Sequence, residues 1–280
     1  MDGFYASEMD EHKILMVQPL VSFLMSVKND SPKLAQCLES LANQTYKNIE
    51  AIVVLDSASL RAQARVKIAA QKNSMFRIIT NPTPKNLSRS LNLGISYCNG
   101  DFIARIDADD ICSLDRIATQ VECITSLGEE FALVGSRAKG IYFDKNDEML
   151  TVVTQRDFFQ TNPIIHPSIL VRRRVLENFR YNEKFRYSQD YELWTRIIQH
   201  HKFAILNREL IEFDVRHRNP KYVLSQEFYF LSANLKLLFT SCADSNSELS
   251  FTGFIKQLYI NFIKQKNLAK NWIKLITGQF

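Results

Sequence analysis

Glycine is scarce in this chain, with eight in 280 residues. No Gly-x-Gly-x-x-Gly and no Walker P-loop is present, which argues against a dinucleotide-cofactor domain and a P-loop NTPase. The five cysteines (Cys37, Cys98, Cys112, Cys123, Cys242) are odd in number and never spaced Cys-x-x-Cys. Reduced thiols in a cytosolic protein are expected, rather than a zinc or disulfide scaffold. No apolar run approaches the roughly 18 residues that a spanning helix needs. Met1-Asp2-Gly3-Phe4-Tyr5-Ala6-Ser7-Glu8 is acidic and lacks a basic and an apolar region, so no secretory leader is expected. Charge of one sign is also in short supply. The net charge is +5, and residues 251–280 supply that balance alone through Lys256, Lys264, Lys266, Lys270 and Lys274 without an acid. The rest is nearly neutral, so nucleic acid is not an expected partner.

What is present is a 46% apolar composition, enough for a sizeable core. The length allows one large α/β domain with an appendage, or two modest domains. Strand and helix patterns alternate from Leu20 onward. Leu20 to Val27 reads as a strand, and Ser31-Pro32 opens a helix with Ser31 as its cap. Ala51 to Leu55 is a continuous apolar run, as in a buried parallel strand. A polar helix follows at about 58–72. Phe76 to Ile79 is strand-like, and Leu87, Leu91, Ile95 and Cys98 mark another helix. Phe102 to Ile106 is a fourth strand. A helix capped by Ser113 and a strand at Phe131 to Val134 follow. Residues 151–188 read as loops and short elements, and a helix begins near Asp190. The alternation predicts a mainly parallel sheet covered on both faces. After Asn219-Pro220 the pattern becomes helical, which divides the chain into a domain at 1–220 and a helical extension at 221–280.

The richest stretch is Gly100-Asp101-Phe102-Ile103-Ala104-Arg105-Ile106-Asp107-Ala108-Asp109-Asp110. An apolar strand ends in three carboxylates that repel one another and need a counter-charge if buried. Hard oxygen ligands suit Mg²⁺ or Mn²⁺, which keeps open positions for substrate phosphates. Ligands of open α/β sheets bind beyond the carboxyl ends of the strands. Asp56 and Asp107 to Asp110 both follow strands directly. Acidic turns also arise simply because Asp suits caps and turns.

Five ordered segments carry a resemblance: Val21 to Asn29, Leu41 to Glu50, Ile103 to Asp110, Asn162 to Ser168, and Tyr187 to Trp194. Over about 20–214 the chain resembles family 2 glycosyltransferases with the GT-A fold, of the bacterial surface-polysaccharide type. The resemblance implies a Rossmann-like sheet flanked by helices. It also implies transfer of a sugar from a nucleotide-sugar donor, with a UDP-sugar as first choice, to a hydroxyl with inversion. Asp107-Ala108-Asp109 matches the family's Asp-x-Asp, with Asp109 as direct ligand of Mn²⁺ or Mg²⁺ and Asp107 on ribose or metal. Asp190 matches the general base, although Asp at a helix start is also a preferred N-cap. Ser26, Val27 and Asn29 match the loop under the nucleotide, and Asp56 the acid that holds base and ribose. Arg89 is a candidate for nucleobase or phosphate, and equally a solvated helix charge. His166, Gln189 and Trp194 are candidates for the diphosphate or acceptor.

Three positions depart from the family pattern. Leu55 stands where a second acid is usual, Lys28 where an aromatic is common, and Gln189 where Glu usually precedes the base. They motivate an alternative, a degenerate GT-A domain that binds a nucleotide sugar or a partner without turnover. A phosphatase with Asp107 as nucleophile ranks lower, because its motif would lie on an early strand and be followed by a small hydroxyl residue. In the tail, Phe254, Ile255, Leu258, Trp272 and other apolar residues interleave with lysines. Such a helix either lies on an anionic membrane or packs on the catalytic domain. Lipid-linked acceptors are common for the family. The resemblance thus implies a glycan or lipid-linked acceptor and a cytoplasmic enzyme, peripheral at the inner membrane face in the first case.

Overall fold

The computed structural model describes residues 18–81, 83, 86–140 and 148–213. The helical extension at 221–280, with its basic tail, lies outside the described residues.

Strands β1 (Val21–Val27), β2 (Ile49–Leu55), β3 (Phe76–Thr80) and β4 (Phe102–Arg105) alternate with helices α1 (Leu34–Ala42), α2 (Leu60–Lys72) and α3 (Leu87–Ile95). These strands pair in parallel in the order β3-β2-β1-β4. The sheet then becomes mixed. It adds β8 (Leu170–Arg172), β6 (Phe131–Lys139), β9 (Lys202–Glu212) and β5 (Ile111–Cys112) in spatial order, while β7 (Leu150–Val153) pairs with β9. β8 runs antiparallel to both β4 and β6, whereas β6 and β9 are parallel. The parallel expectation therefore holds for the first four strands, where long helical crossovers are available. Helices α4 (Arg116–Leu127), α5 (Gln155–Gln160), α6 (Arg173–Phe179) and α7 (Gln189–Ile197) complete the layers.

Both faces of the sheet are covered, and side-chain alternation shows why. Val21, Phe23, Met25 and Val27 of β1 point into one core with Leu34, Leu38 and Leu41 of α1. Leu24 points into the other, with Ile52 and Val54 of β2 and Leu91 and Ile95 of α3. The close approach of α3 requires Gly94, where a Cβ would lie 2.3 Å from Leu24 Cδ1. Gly100 is needed more strictly, since its Cβ would meet the Leu20 carbonyl oxygen and the Ser22 nitrogen at 2.7 Å.

Two caps differ from expectation. Lys33, not Ser31, sits at the head of α1, and Ser31 Oγ accepts from the Lys33 N–H at 3.2 Å in the preceding turn. Asp115 occupies the cap of α4, with Ser113 one turn earlier accepting from Arg116 N–H. In both cases a turn with its own hydrogen bond delays the helix.

The segment Asn43-Gln44-Thr45-Tyr46 is structural. Gln44 Nε2 donates to the Ser40 and Ser113 carbonyls, and its Oε1 accepts from Ile117 N–H. Tyr46 donates to the Pro19 carbonyl. One buried glutamine thus fastens the end of α1 to the segment that follows the acidic loop.

Candidate active site

The carboxyl ends of β2, β1 and β4 lie side by side and carry the candidate donor residues. Ser26 is partly buried and Asn29 exposed at the end of β1. Val27 has no exposed surface. Its carbonyl accepts the Asp56 N–H at 2.9 Å, so it shapes the loop through its backbone. Asp56 is buried and receives a hydrogen bond from Asn81 Nδ2 at 3.2 Å, which also reaches Ser90 Oγ at 3.1 Å. Asn81 was invisible as a site residue in the sequence, yet it ties Asp56 to α3. Leu55 is buried in the core beside α1 and α2, so its side chain is withheld from any ligand. Arg89 is partly buried in the first turn of α3, where its N–H is capped by Asn86.

The acidic loop leaves β4 at Arg105, a residue with no assigned role in the sequence reading. Arg105 is 1% exposed, and its Nη2 lies 2.5 Å from Asp107 Oδ1. Burial works to lower its pKa, but Asp107 more than offsets this, and the net direction is upward. Asp109 is exposed and Ala108 partly buried. Asp110 is buried, and burial followed by repulsion from Asp107 and Asp109 pushes its pKa up to about 8. No group of three or more His, Cys, Asp or Glu that could hold a metal occurs among the described residues. The donor set still fits a hard divalent cation, because such an ion commonly takes one or two carboxylates and completes its shell with water and phosphate. Asp107 and Asp109 are two carboxylates on the loop that follows β4, the first partly buried and the second exposed.

The second half of the site is built from two later segments. Asp190 lies in the first turn of α7, partly buried, and receives Asn162 Nδ2 at 2.9 Å on Oδ2. Desolvation raises its pKa, while N–H donors at the helix start, Asn162 and Arg105 pull the other way. Ser188 precedes the helix at φ 51°, a left-handed conformation that costs a non-glycine residue energy. Gln189 is partly buried beside it. His166 Nε2 lies 2.8 Å from the Tyr181 hydroxyl. Burial, then Arg105, hold the His166 pKa well below its usual value, so the ring is neutral near pH 7. Burial pushes the Tyr181 phenol upward. Asn92 of α3 holds that tyrosine by accepting from its N–H and donating to its carbonyl, both at 2.9 Å.

Trp194 requires a correction. Expected to face diphosphate or acceptor, it is fully buried, edge-on to His166 at 6.0 Å and to Phe203 at 6.2 Å. It lies four residues after Asp190, one turn further along α7, and packs behind His166 in the core.

A family model described as glycosyl transferase family 2 matches residues 22–213, which contain every one of these residues. The chain belongs to that family. As a family 2 member it is 32% identical over 219 residues to an uncharacterized glycosyltransferase of Methanocaldococcus jannaschii, covering 73% of each chain. It is 32% identical over 194 residues to the amylovoran biosynthesis glycosyltransferase AmsE of Erwinia amylovora, covering 64% of this chain and 70% of the relative. The fold is that of GT-A glycosyltransferases. S. aureus TarS 1-349 in complex with UDP-GlcNAc superposes with a TM-score of 0.66 at 14% identity, over 87% of this chain and 71% of that one. Against the longer TarS crystal structure, this family 2 chain spans 43% of the length. The mannosyltransferase PcManGT from Pyrobaculum calidifontis, in complex with GDP-Man and Mn²⁺, gives a TM-score of 0.60 at 13% identity, over 95% and 89% of the two chains. No helix among the described residues is long and apolar enough to cross a membrane.

Proposed function

We propose that this chain is an inverting glycosyltransferase that moves a sugar from a nucleotide-sugar donor, a UDP-sugar first among them, to a hydroxyl acceptor in bacterial surface-glycan synthesis. The observation that carries the reading is Asp190. It is a partly buried carboxylate at a helix start, oriented by Asn162 and within reach of the charge of Arg105, from which the acidic loop departs. AmsE is by its name an amylovoran biosynthesis enzyme. TarS and PcManGT are bound to UDP-GlcNAc and to GDP-Man with Mn²⁺ respectively. Those facts support a nucleotide-sugar donor and a glycan or lipid-linked acceptor.

In this reading Asp190 accepts the proton of the acceptor hydroxyl. The freed oxygen attacks the anomeric carbon opposite the nucleotide diphosphate, the bond to the diphosphate oxygen breaks, and configuration inverts. Desolvation raises the basicity of Asp190, while Asn162 and the helix N–H groups keep it ionised and oriented. Asp56, fixed by Asn81, contacts the nucleoside, and Ser26, Asn29 and Arg89 border it. Asp107 and Asp109 would hold Mn²⁺ or Mg²⁺, which when bound offsets charge developing on the diphosphate. Asp109, the more exposed, is the direct ligand. His166 and Gln189 line the diphosphate or acceptor side. We further place the reaction in the cytoplasm, with 251–280 as the segment that contacts a membrane.

The buried Leu55 favours a second reading, a domain that binds a nucleotide sugar without turnover. Calorimetric titration with UDP, with and without Mn²⁺, beside Asp109→Asn, separates the cases. Metal-dependent binding lost in the variant supports the donor site, and turnover with a UDP-sugar then decides for the transferase. Absence of binding by UDP, GDP and dTDP alike would overturn both readings.

A further inference from the structure

Three arginines are buried along the sheet, and two have spent their donors on the fold. Arg116 donates from Nε to Gln120, from Nη1 to Cys112 Sγ, and from Nη2 to the Arg105 and Ile169 carbonyls. Arg172 donates from Nε to the Phe131 carbonyl and from Nη2 to the Ile124 and Gly128 carbonyls, and its Nη1 pairs with Glu129. Arg105 is different. It is equally buried, yet Nε and Nη1 find no hydrogen-bond acceptor among the described residues, and its one close anion is Asp107 at Nη2. Such an arginine is costly to the fold, because a buried charge with unmade hydrogen bonds carries a desolvation penalty.

Its backbone is nevertheless held firmly. Arg105 N–H donates to the Ile169 carbonyl at 3.1 Å, and its carbonyl takes Arg116 Nη2 at 2.8 Å. Residue 104 pairs with Leu170 across β8. The guanidinium thus has a rigid root, and its charge is felt by Asp110, His166, Tyr181 and Asp190 on four separate segments. Packing has fixed the position of this cation while leaving Nε and Nη1 without an acceptor among the described residues.

We propose that Arg105 is the standing counter-charge of the acidic loop, a positioning residue that holds Asp107 in place and tempers the loop's attraction for divalent cations until nucleotide arrives with one. This rests on the donor-site reading above. The acidic loop without a fixed cation would capture Mn²⁺ alone and lose the alignment of Asp107. With Arg105 in place, the loop needs the charge of the diphosphate to complete the ion's shell. Binding of metal and nucleotide becomes mutually dependent, and each raises the affinity of the other.

The test uses the full chain and four variants: Arg105→Met, Arg105→Gln, Arg105→Lys and, as a structural control, Arg116→Met. Mn²⁺ alone and UDP at saturating Mn²⁺ are titrated by calorimetry, with far-UV circular dichroism and melting as checks of folding. Neutral variants at Arg105 are expected to bind Mn²⁺ alone about tenfold or more tightly, the scale of one charge a few ångström from the ion. They should bind UDP in Mn²⁺ about tenfold more weakly, while Arg105→Lys keeps Mn²⁺ affinity within about threefold of wild type. Arg116→Met should melt earlier without gaining Mn²⁺ affinity. Folded neutral variants whose Mn²⁺ affinity is unchanged or lower would overturn the proposal. So would an Arg105→Lys that shifts as far as Arg105→Met, or failure of both neutral variants to fold. If wild type binds none of UDP, GDP and dTDP, the donor reading falls, and the Mn²⁺ titrations still decide the role of Arg105.

Discussion

Asn162 Nδ2 donates to Asp190 Oδ2 at 2.9 Å, joining two segments 28 residues apart in the chain. The same Asn162 accepts the Ile164 N–H through Oδ1, so its orientation is set by its own turn. The proposed base is thus aimed by a neighbour that the fold holds still. Replacing Asn162 with Ala removes a hydrogen bond to the charged form of Asp190. We expect kcat to fall about tenfold, within the range for a hydrogen bond to a charged group. The acidic limb of the pH–rate profile should move to higher pH, since one influence that lowers the Asp190 pKa is gone. An unchanged limb would detach Asn162 from the base.

Asp190→Asn should separate activity from stability. Loss of the base is expected to lower turnover by about 10² to 10⁴. The folded-state pKa of Asp190 is raised, so its stabilising contribution is complete below the ordinary carboxylate range and is lost as pH rises through the folded value. At neutral pH the variant should therefore melt at or above the wild-type temperature, and the gap should widen from pH 4 upward. Melting measured across pH checks both the sign and the window. A variant that melts earlier at pH 7 than wild type would show that the carboxylate is structural.

His166 gives the opposite sign. Its folded pKa lies well below the usual histidine value, so its contribution is present above about pH 6.5, the unfolded value, and is lost as pH falls through the folded one. Melting temperature should decline below about pH 6.5, and the decline should be shallower in His166→Gln. His166→Ala leaves the Tyr181 hydroxyl without its partner and should cost about 1–3 kcal/mol. A double-mutant cycle with Tyr181→Phe would recover much of that cost if the hydrogen bond is its source.

Gly100→Ala tests why the acidic motif begins with glycine. The added methyl would press on backbone atoms of Leu20 and Ser22 at 2.7 Å, which cannot rotate away. A loss of about 1–3 kcal/mol is expected, the usual cost of overpacking, read as an earlier urea midpoint. Gly94→Ala meets the end of the Leu24 side chain instead, and a smaller loss is expected because a side chain can shift.

Asn81→Ala should act on the nucleoside side alone. It leaves buried Asp56 without the amide that holds it, and Ser90 without the same partner. UDP affinity should fall several-fold while Mn²⁺ affinity is unchanged. A parallel loss of both would place Asn81 in the metal half.

The first four strands and their helices were legible along the chain because a buried parallel strand must be apolar throughout and a crossover helix must show an apolar stripe. The acidic loop drew notice because three carboxylates fall within four residues directly after a strand, and Asp190 because of the family resemblance of its segment; the roles given to both are proposals. The chain also told, through its lack of glycine-rich phosphate loops, which nucleotide folds it does not adopt. What no local pattern carried were the residues that act across elements. Arg105 reads locally as an interruption of a strand, Asn162 as a turn residue, and Asn81 and Asn92 as unremarkable polar positions. Trp194 reads as a site aromatic until its helix is rotated into place. These roles depend on which side chains face one another after β4, β8 and α7 have packed. Side-chain partnership is a property of distance, and distance between residues far apart in sequence exists only once the sheet has closed and its charges have been taken out of water.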